Sequence, residues 1–368
     1  MAENEKSKLT HNCSIALRPI CEIAAFLKNL IPADIPNNYA LNPKLKNIAG
    51  KENIRNGVIA FRDFLYTLLD RIISDGHLYA KQPKTPSNID DYPFLYHLAN
   101  LLVDIGYYGN LSESGNSLLV SSIKAKIPAA CQMDCLRFLT LCNLTFSGVD
   151  LGAKNLNISE TQMMEVSYPR NPIMLTGLKA MAFAEMELRT TRKFANDKNI
   201  LRCDYHLLKA ENSDIGDILQ DFLHSLPEAV QNFVLKLHKR HTDLGMTCAL
   251  RILDDFHFAY ADTRKSRRGL DTQGIYSKRL WGVSISLKHG YCLVVRAKKI
   301  EKYADIIKTF SPALQEKIAK GYGCDRKRGE RCQGSCIGIR IPLDENIPAM
   351  NNDIETWLEQ EVGILLHL

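Results

Sequence analysis

The sequence predicts an α+β fold, a mainly helical N-terminal part followed by an antiparallel sheet packed with helices. Two patterns carry that expectation. Before Gly245 the apolar side chains recur mostly three and four residues apart, the spacing of helices with one buried stripe. Beyond it they alternate every second residue over Thr247–Leu253, His257–Asp262, Trp281–Leu287 and Tyr291–Ala297, as half-buried strands do. Only Lys288-His289-Gly290 separates the last two runs, a hairpin length that makes the sheet antiparallel.

The 368 residues are 45% apolar and 24% charged, which excludes a disordered or collagen-like chain and allows two domains, each with its own core. No stretch approaches the ~18 uninterrupted apolar residues of a membrane span. The opening MAENEKSKLTHNC is charged without a following apolar region, so neither membrane contact nor a secretory signal is expected and the predicted location is cytoplasmic. Eleven cysteines, an odd count scattered from Cys13 to Cys336, fit reduced thiols in such a compartment.

Residues 1–53 read as a loop-rich lead-in with one short helix inside Ile15–Leu30, because Pro32, Pro36 and Pro43 break any helical run after Leu30. From Ile54 to Ile73, Val58, Phe61, Leu65, Leu68, Leu69 and Ile72 share one helical face, with Gly76 as the expected stop. Pro93 opens a second helix with the stripe Phe94, Leu98, Leu101, Leu102 and Ile105, closed by Gly106 and Gly109. An apolar run at Leu118–Ile123 and a helix over Ala129–Cys142 complete a unit around residues 92–150 that is compatible with a winged helix.

Met163–Tyr168 reads as a strand ended by Pro169, Pro172 introduces a helix to Leu188, and Ile200–Leu208 alternates like another strand. A short helix ending near His224 closes a first domain, 54–224. Ser225 and Glu228 form a capping-box pattern, which places the boundary near residue 225 and opens a helix through Val230, Phe233, Val234 and Leu237. In the second domain, 225–368, Ser311-Pro312 starts one helix and a final helix begins around Asn352, with Asp353 and Glu355 in its first turn.

Four segments then look familiar: Tyr168–Lys179, Leu201–Tyr205, Trp281–Leu287, and Lys320–Asp325 with Cys332, Cys336 and Ile341–Asp344. Over roughly residues 55–362 the chain resembles an uncharacterised family of bacterial proteins with a cysteine-containing C-terminal α+β domain. That resemblance implies a bacterial cytoplasmic protein in two parts, and no chemistry.

Chemistry has to come from the residues. Cys324, Cys332 and Cys336 stand in a basic, glycine-rich segment and could supply three thiolates to a structural zinc ion, with Cys292 or His289 as the fourth ligand. The C-x7-C-x3-C spacing is not a standard knuckle, and three loose or buried thiols read equally well. Cys131, Cys135 and Cys142 are expected to fill core space, and His238 and His241 to sit on a solvated helix face.

Charge is lopsided. Residues 264–340 hold 19 Lys or Arg against six Asp or Glu in a chain of net charge +6. Arg264, Lys265, Arg267, Arg268, Lys278 and Arg279 with Trp281 therefore form a candidate basic and aromatic surface, within a stretch 264–302 that could touch nucleic acid. The Walker, G-x-S-x-G, H-E-x-x-H and G-x-G-x-x-G patterns are missing, and His257, Asp254 and Asp255 are the sole weak catalytic nominees. A non-catalytic protein that binds a small molecule or protein partner is expected, a nucleic-acid-binding regulator or an enzyme being the alternatives.

Overall fold

The structure, a computed structural model, describes residues 18–80, 93–188, 200–252, 256–264, 271–297, 300–320 and 338–366. Among these the α+β architecture is realised as helices and two separate antiparallel sheets. Apolar side chains gather in two main cores, the first drawn from Ile20 to Leu208 and the second mostly from Leu219 to Val362. Leu30, just after the first helix, already belongs to the second core.

The first core is built on α1 (Ile20–Lys28), α2 (Lys51–Tyr79), α3 (Pro93–Tyr108), α4 (Ala129–Leu141) and α5 (Met174–Phe183). The stripe of α2 is buried as its periodicity demands, from Ile54 through Phe61 and Leu68 to Ile72. Helix α5 differs: Met174, Leu175, Thr176, Gly177 and Leu178 are consecutive and all buried, so α2 and α3 enclose it. Such proximity requires glycine. A Cβ on Gly177 would lie 1.9 Å from Gly57 O, and one on Gly106 2.7 Å from Leu178 O.

Gly76 and Gly106 are therefore not the helix stops that the sequence suggests. Both lie inside their helices, where the missing side chain admits a neighbour; at Gly76 that neighbour is Ile20 of α1. Ile200–Leu208 is likewise no strand but a turn followed by a 3-10 helix, Tyr205–Leu208, whose apolar residues still face the first core.

Four short strands, β1 (Gly109–Leu111), β2 (Ser117–Val120), β3 (Thr145–Ser147) and β4 (Met164–Ser167), form a sheet of order β1-β2-β4-β3. Helix α4 stands alone between β2 and β3, because residues 121–128 form no helix. Its Arg137 is bonded to Asp134 and to the carbonyls of Leu151 and Ala153.

The second core lies under one face of a five-stranded sheet, order β5-β6-β7-β8-β9: Thr247–Ile252, Phe256–Ala261, Trp281–Ser286, Gly290–Val295 and Ile339–Pro342. Every pairing is antiparallel, and the β7–β8 turn holds Gly290 at φ +62°. Phe258, Tyr260, Trp281, Val283 and Leu293 point inward against α6 (Ile215–Leu223), α7 (Glu228–Asp243) and α11 (Ile347–Leu366). The outer face is partly covered by α8 (Thr272–Lys278), which packs on β5 and β6; α9 (Ala304–Ile307) and α10 (Pro312–Lys320) lie between β8 and β9 in sequence.

Two expected helix starts are corrected. The Ser225 hydroxyl donates to Tyr291 Oη at 3.1 Å instead of capping α7, whose N-cap is Pro227. The last helix begins at Ile347, so Asp353 and Glu355 lie beyond its first turn and take tertiary partners: Ser311 N donates to Asp353 at 2.7 Å, and Lys236 pairs with Glu355 at 2.7 Å.

Candidate functional site

The outer sheet face is where polar chemistry collects. Strand alternation turns Arg251, His257, Ser284 and Cys292 to the side away from the second core, and cross-strand pairing sets them in one row. Arg340 lies on the same face one pair further along, opposite Val294. Aromatic and β-branched inward neighbours make these segments strands; their polar alternates have to find partners on the outer side.

His257 sits on β6, near the β5 end of that face, 2% exposed. Its ring lies over Gly282, where a Cβ would come within 2.8 Å of Nε2, so glycine at 282 makes room for the imidazole. Burial, reinforced by Arg279, Arg251 and Arg340, pushes its pKa down to about 3, and the ring is neutral at ordinary pH. Tyr276 of α8 meets His257 edge-on with centroids 5.0 Å apart, and the guanidinium carbons of Arg251 and Arg279 each lie 3.9 Å from the Tyr276 centroid. Arg279 and Arg296 also donate to the last carbonyls of α8, at Tyr276 and Ser277, both at 2.7 Å.

At the β8–β9 edge the same face opens into a cavity of about 750 Å3. Cations predominate in its lining, with Lys288, Lys317, Lys320 and Arg340 facing Glu316 and Asp344. Lys320 is paired with Glu316 at 2.5 Å. The thiol of Cys292 also lines the cavity and donates to His289 O at 3.2 Å; burial raises its pKa, opposed by Arg340 and Lys317.

The sequence-predicted residues fare unequally. Cys324, Cys332 and Cys336 lie outside the described residues, as do Lys265, Arg267, Arg268, Asp254 and Asp255. The suggested fourth zinc ligands, Cys292 and His289, both line the cavity, and among the described residues no group of three His, Cys, Asp or Glu is placed to hold a metal ion. Arg264 is paired with Asp262 at 2.8 Å, and Lys278 is exposed.

Trp281 is not a surface platform. It is fully buried and stacked on Tyr260 with centroids 3.8 Å apart, because its position in β7 points into the second core; Arg279 is only 5% exposed. His238 and His241 do not lie on a solvated face either: His238 Nδ1 shares a 2.8 Å hydrogen bond with Tyr260 Oη, and the buried His241 ring packs on Trp281. Cys135 and Cys142 occupy the first core, and burial raises both thiols, Cys142 to about 12.

Sequence reasoning missed Arg251, Arg340, Tyr276 and Ser284. The signal was present only as polar residues at alternate positions of apolar strands, and it identifies a shared face only once the register is known. No family model, curated protein or solved structure matches the chain. Among the described residues no helix is long and apolar enough to cross a membrane.

The depressed pKa of His257 makes stability depend on pH. Between about pH 3 and the ordinary histidine value near 6.5 the unfolded chain binds a proton that the folded chain refuses, so stability is present above that window and lost as pH falls through it. Burial depresses His238 and His241 in the same direction. Replacing His257 by Gln is expected to reduce the slope of unfolding free energy against pH between pH 4 and 6 by up to about 1.4 kcal/mol per pH unit. Urea titrations across that range would show it, and an unchanged slope would contradict burial of a neutral imidazole.

Proposed function

We propose that the protein is a non-catalytic binder of a small anionic molecule, which it takes into the cavity at the β8–β9 edge. The observation that supports this is the lining. Among the described residues Lys288 and Lys317 outnumber Asp344 once Lys320 and Glu316 are paired, and a concave, partly apolar site with a few convergent charges is what small ligands select. Ala313, Pro342 and Met350 supply apolar wall, so the ligand carries a carbon skeleton as well as its charge.

Citrate and AMP are suitable probes. Either should raise the melting temperature of the full chain in thermal unfolding at constant ionic strength, a ligand at a hundred times its Kd contributing about 2.7 kcal/mol. Changing Lys288 and Lys317 together to Ala should raise the concentration needed at least tenfold. If neither anion shifts the transition, or if the double variant responds like the wild type, the proposal fails.

A further inference from the structure

The other end of the same sheet face carries a second arrangement that the cavity does not use. His257 Nε2 is buried without a hydrogen-bond partner, an arrangement that folded proteins seldom keep. Directly across from it on β5 is Arg251, whose Nε is also buried and unpartnered. The two residues are direct cross-strand partners, and both touch Tyr276, His257 edge-on and Arg251 over the ring. Tyr276 holds the Arg251 guanidinium by stacking, which fixes the plane of the fork before anything binds.

Among the described residues the charged groups that bear on His257 are of one sign. Arg279, Arg251 and Arg340 are the groups that bear on it. Arg279 and Arg296 already donate to the last carbonyls of α8, whereas among the described residues the Arg251 guanidinium has no hydrogen bond or ion pair and is held by its contact with the Tyr276 ring. A guanidinium fork beside an imidazole N–H is complementary to an oxyanion, which accepts several hydrogen bonds. Arg251 on β5 lies three strand spacings from β8, about 14 Å, and His257 on β6 two, about 10 Å, with Arg340 both lining the cavity and bearing on His257.

We infer that Arg251 and His257, under Tyr276, form a second and deeper site for a compact oxyanion, the phosphate or carboxylate group of a small molecule. The site does not depend on the cavity reading, and its test separates the two. Inorganic phosphate is titrated into the full chain labelled with 15N-histidine, at ionic strength held constant with chloride; ten histidines keep the spectrum tractable and the His257→Gln variant assigns the signal. The His257 imidazole resonance should move saturably. Its midpoint should be the same in the variant with Lys288 and Lys317 changed to Ala, and at least tenfold higher in Arg251→Met.

Arg251→Lys, which keeps the charge but not the fork, should fall between wild type and Arg251→Met, and it decides the matter if the methionine variant does not fold. A resonance that stays still in the wild type overturns the inference. So does one that stops moving when the cavity lysines are removed, since phosphate then occupies the cavity only, or one indifferent to both changes at Arg251.

Discussion

Alanine at position 177 is expected to destabilise the protein more than any other single added methyl group. Its Cβ would stand 1.9 Å from the carbonyl oxygen of Gly57 and 2.2 Å from that residue's carbonyl carbon, both backbone atoms of α2. A flexible side chain could rotate away, but a helix backbone cannot. Helices α2 and α5 would have to separate by more than an ångström, opening the contacts of Val58 and Phe61 as they move, because both helices belong to the same close-packed core.

Overpacking in cores commonly costs about 1–3 kcal/mol, and a clash with backbone on one side and a largely buried helix on the other puts Gly177→Ala at or above the top of that range. Against a total stability of about 5–15 kcal/mol such a loss is visible in any denaturation curve. Gly57→Ala meets Gly177 N at 2.6 Å and should act in the same direction, and the double variant should cost less than the two singles added, since one separation of the helices relieves both clashes. Gly363→Ala is the control: nothing lies within 4 Å of its Cβ inside the last helix, and its midpoint in urea should not fall below wild type. A Gly177→Ala protein within 1 kcal/mol of wild type, on the order of an ordinary surface change, would show that the helices do not cross at this point.

These glycines also show where reading the chain succeeds and where it stops. The stripes of α2 and α3 and the alternation of β5 to β8 were legible because each element buries one face, and one-sided burial leaves a period in the sequence. Helix α5 has no polar face, so its one-dimensional pattern says little about what surrounds it. Strands β1 and β3 have three residues each, too few to show a period. Whether a glycine ends a helix or admits a neighbour depends on residues more than a hundred positions away, as with Gly57 and Gly177, and local rules give Gly76 and Gly106 the wrong role.

The same limit applies to the site. In the sequence His257 stands beside Asp254 and Asp255, whereas the groups bearing on it come from β5, β9 and the residue after α8. Helix α8 itself was hidden in a basic connection. Its start is held by Asp271, which accepts from Gly274 N at 2.7 Å, and its end by Arg279 of that basic stretch and by Arg296, from the run read as a strand.

Removing Arg202 should be the second severe change, and it should alter how the two cores unfold as well as how firmly. The residue is 1% exposed, its Nη2 lies 2.6 Å from Asp204 Oδ2, and its guanidinium carbon stands 4.3 Å over the ring of Phe222. Leu201, Cys203 and Tyr205 beside it belong to the first core, whereas Phe222 and Phe256 belong to the second. One side chain thus crosses from the wall of one core to the aromatic surface of the other.

Substituting Arg202 by Ala strands the largely buried carboxylate of Asp204 and removes the stacked cation, and breaking a buried pair in this way costs about 3–5 kcal/mol. Arg202→Met combined with Asp204→Asn removes both charges and keeps an apolar stem against Phe222, so it should recover a large part of that loss. Both tryptophans, Trp281 and Trp357, lie in the second core, so fluorescence follows that core while far-UV circular dichroism follows the whole chain. The two transitions should coincide in the wild type and separate in Arg202→Ala, with the departure largest at intermediate urea. Coincident curves and a loss below about 1 kcal/mol, the size of an exposed ion pair, would mean that the cores are joined elsewhere.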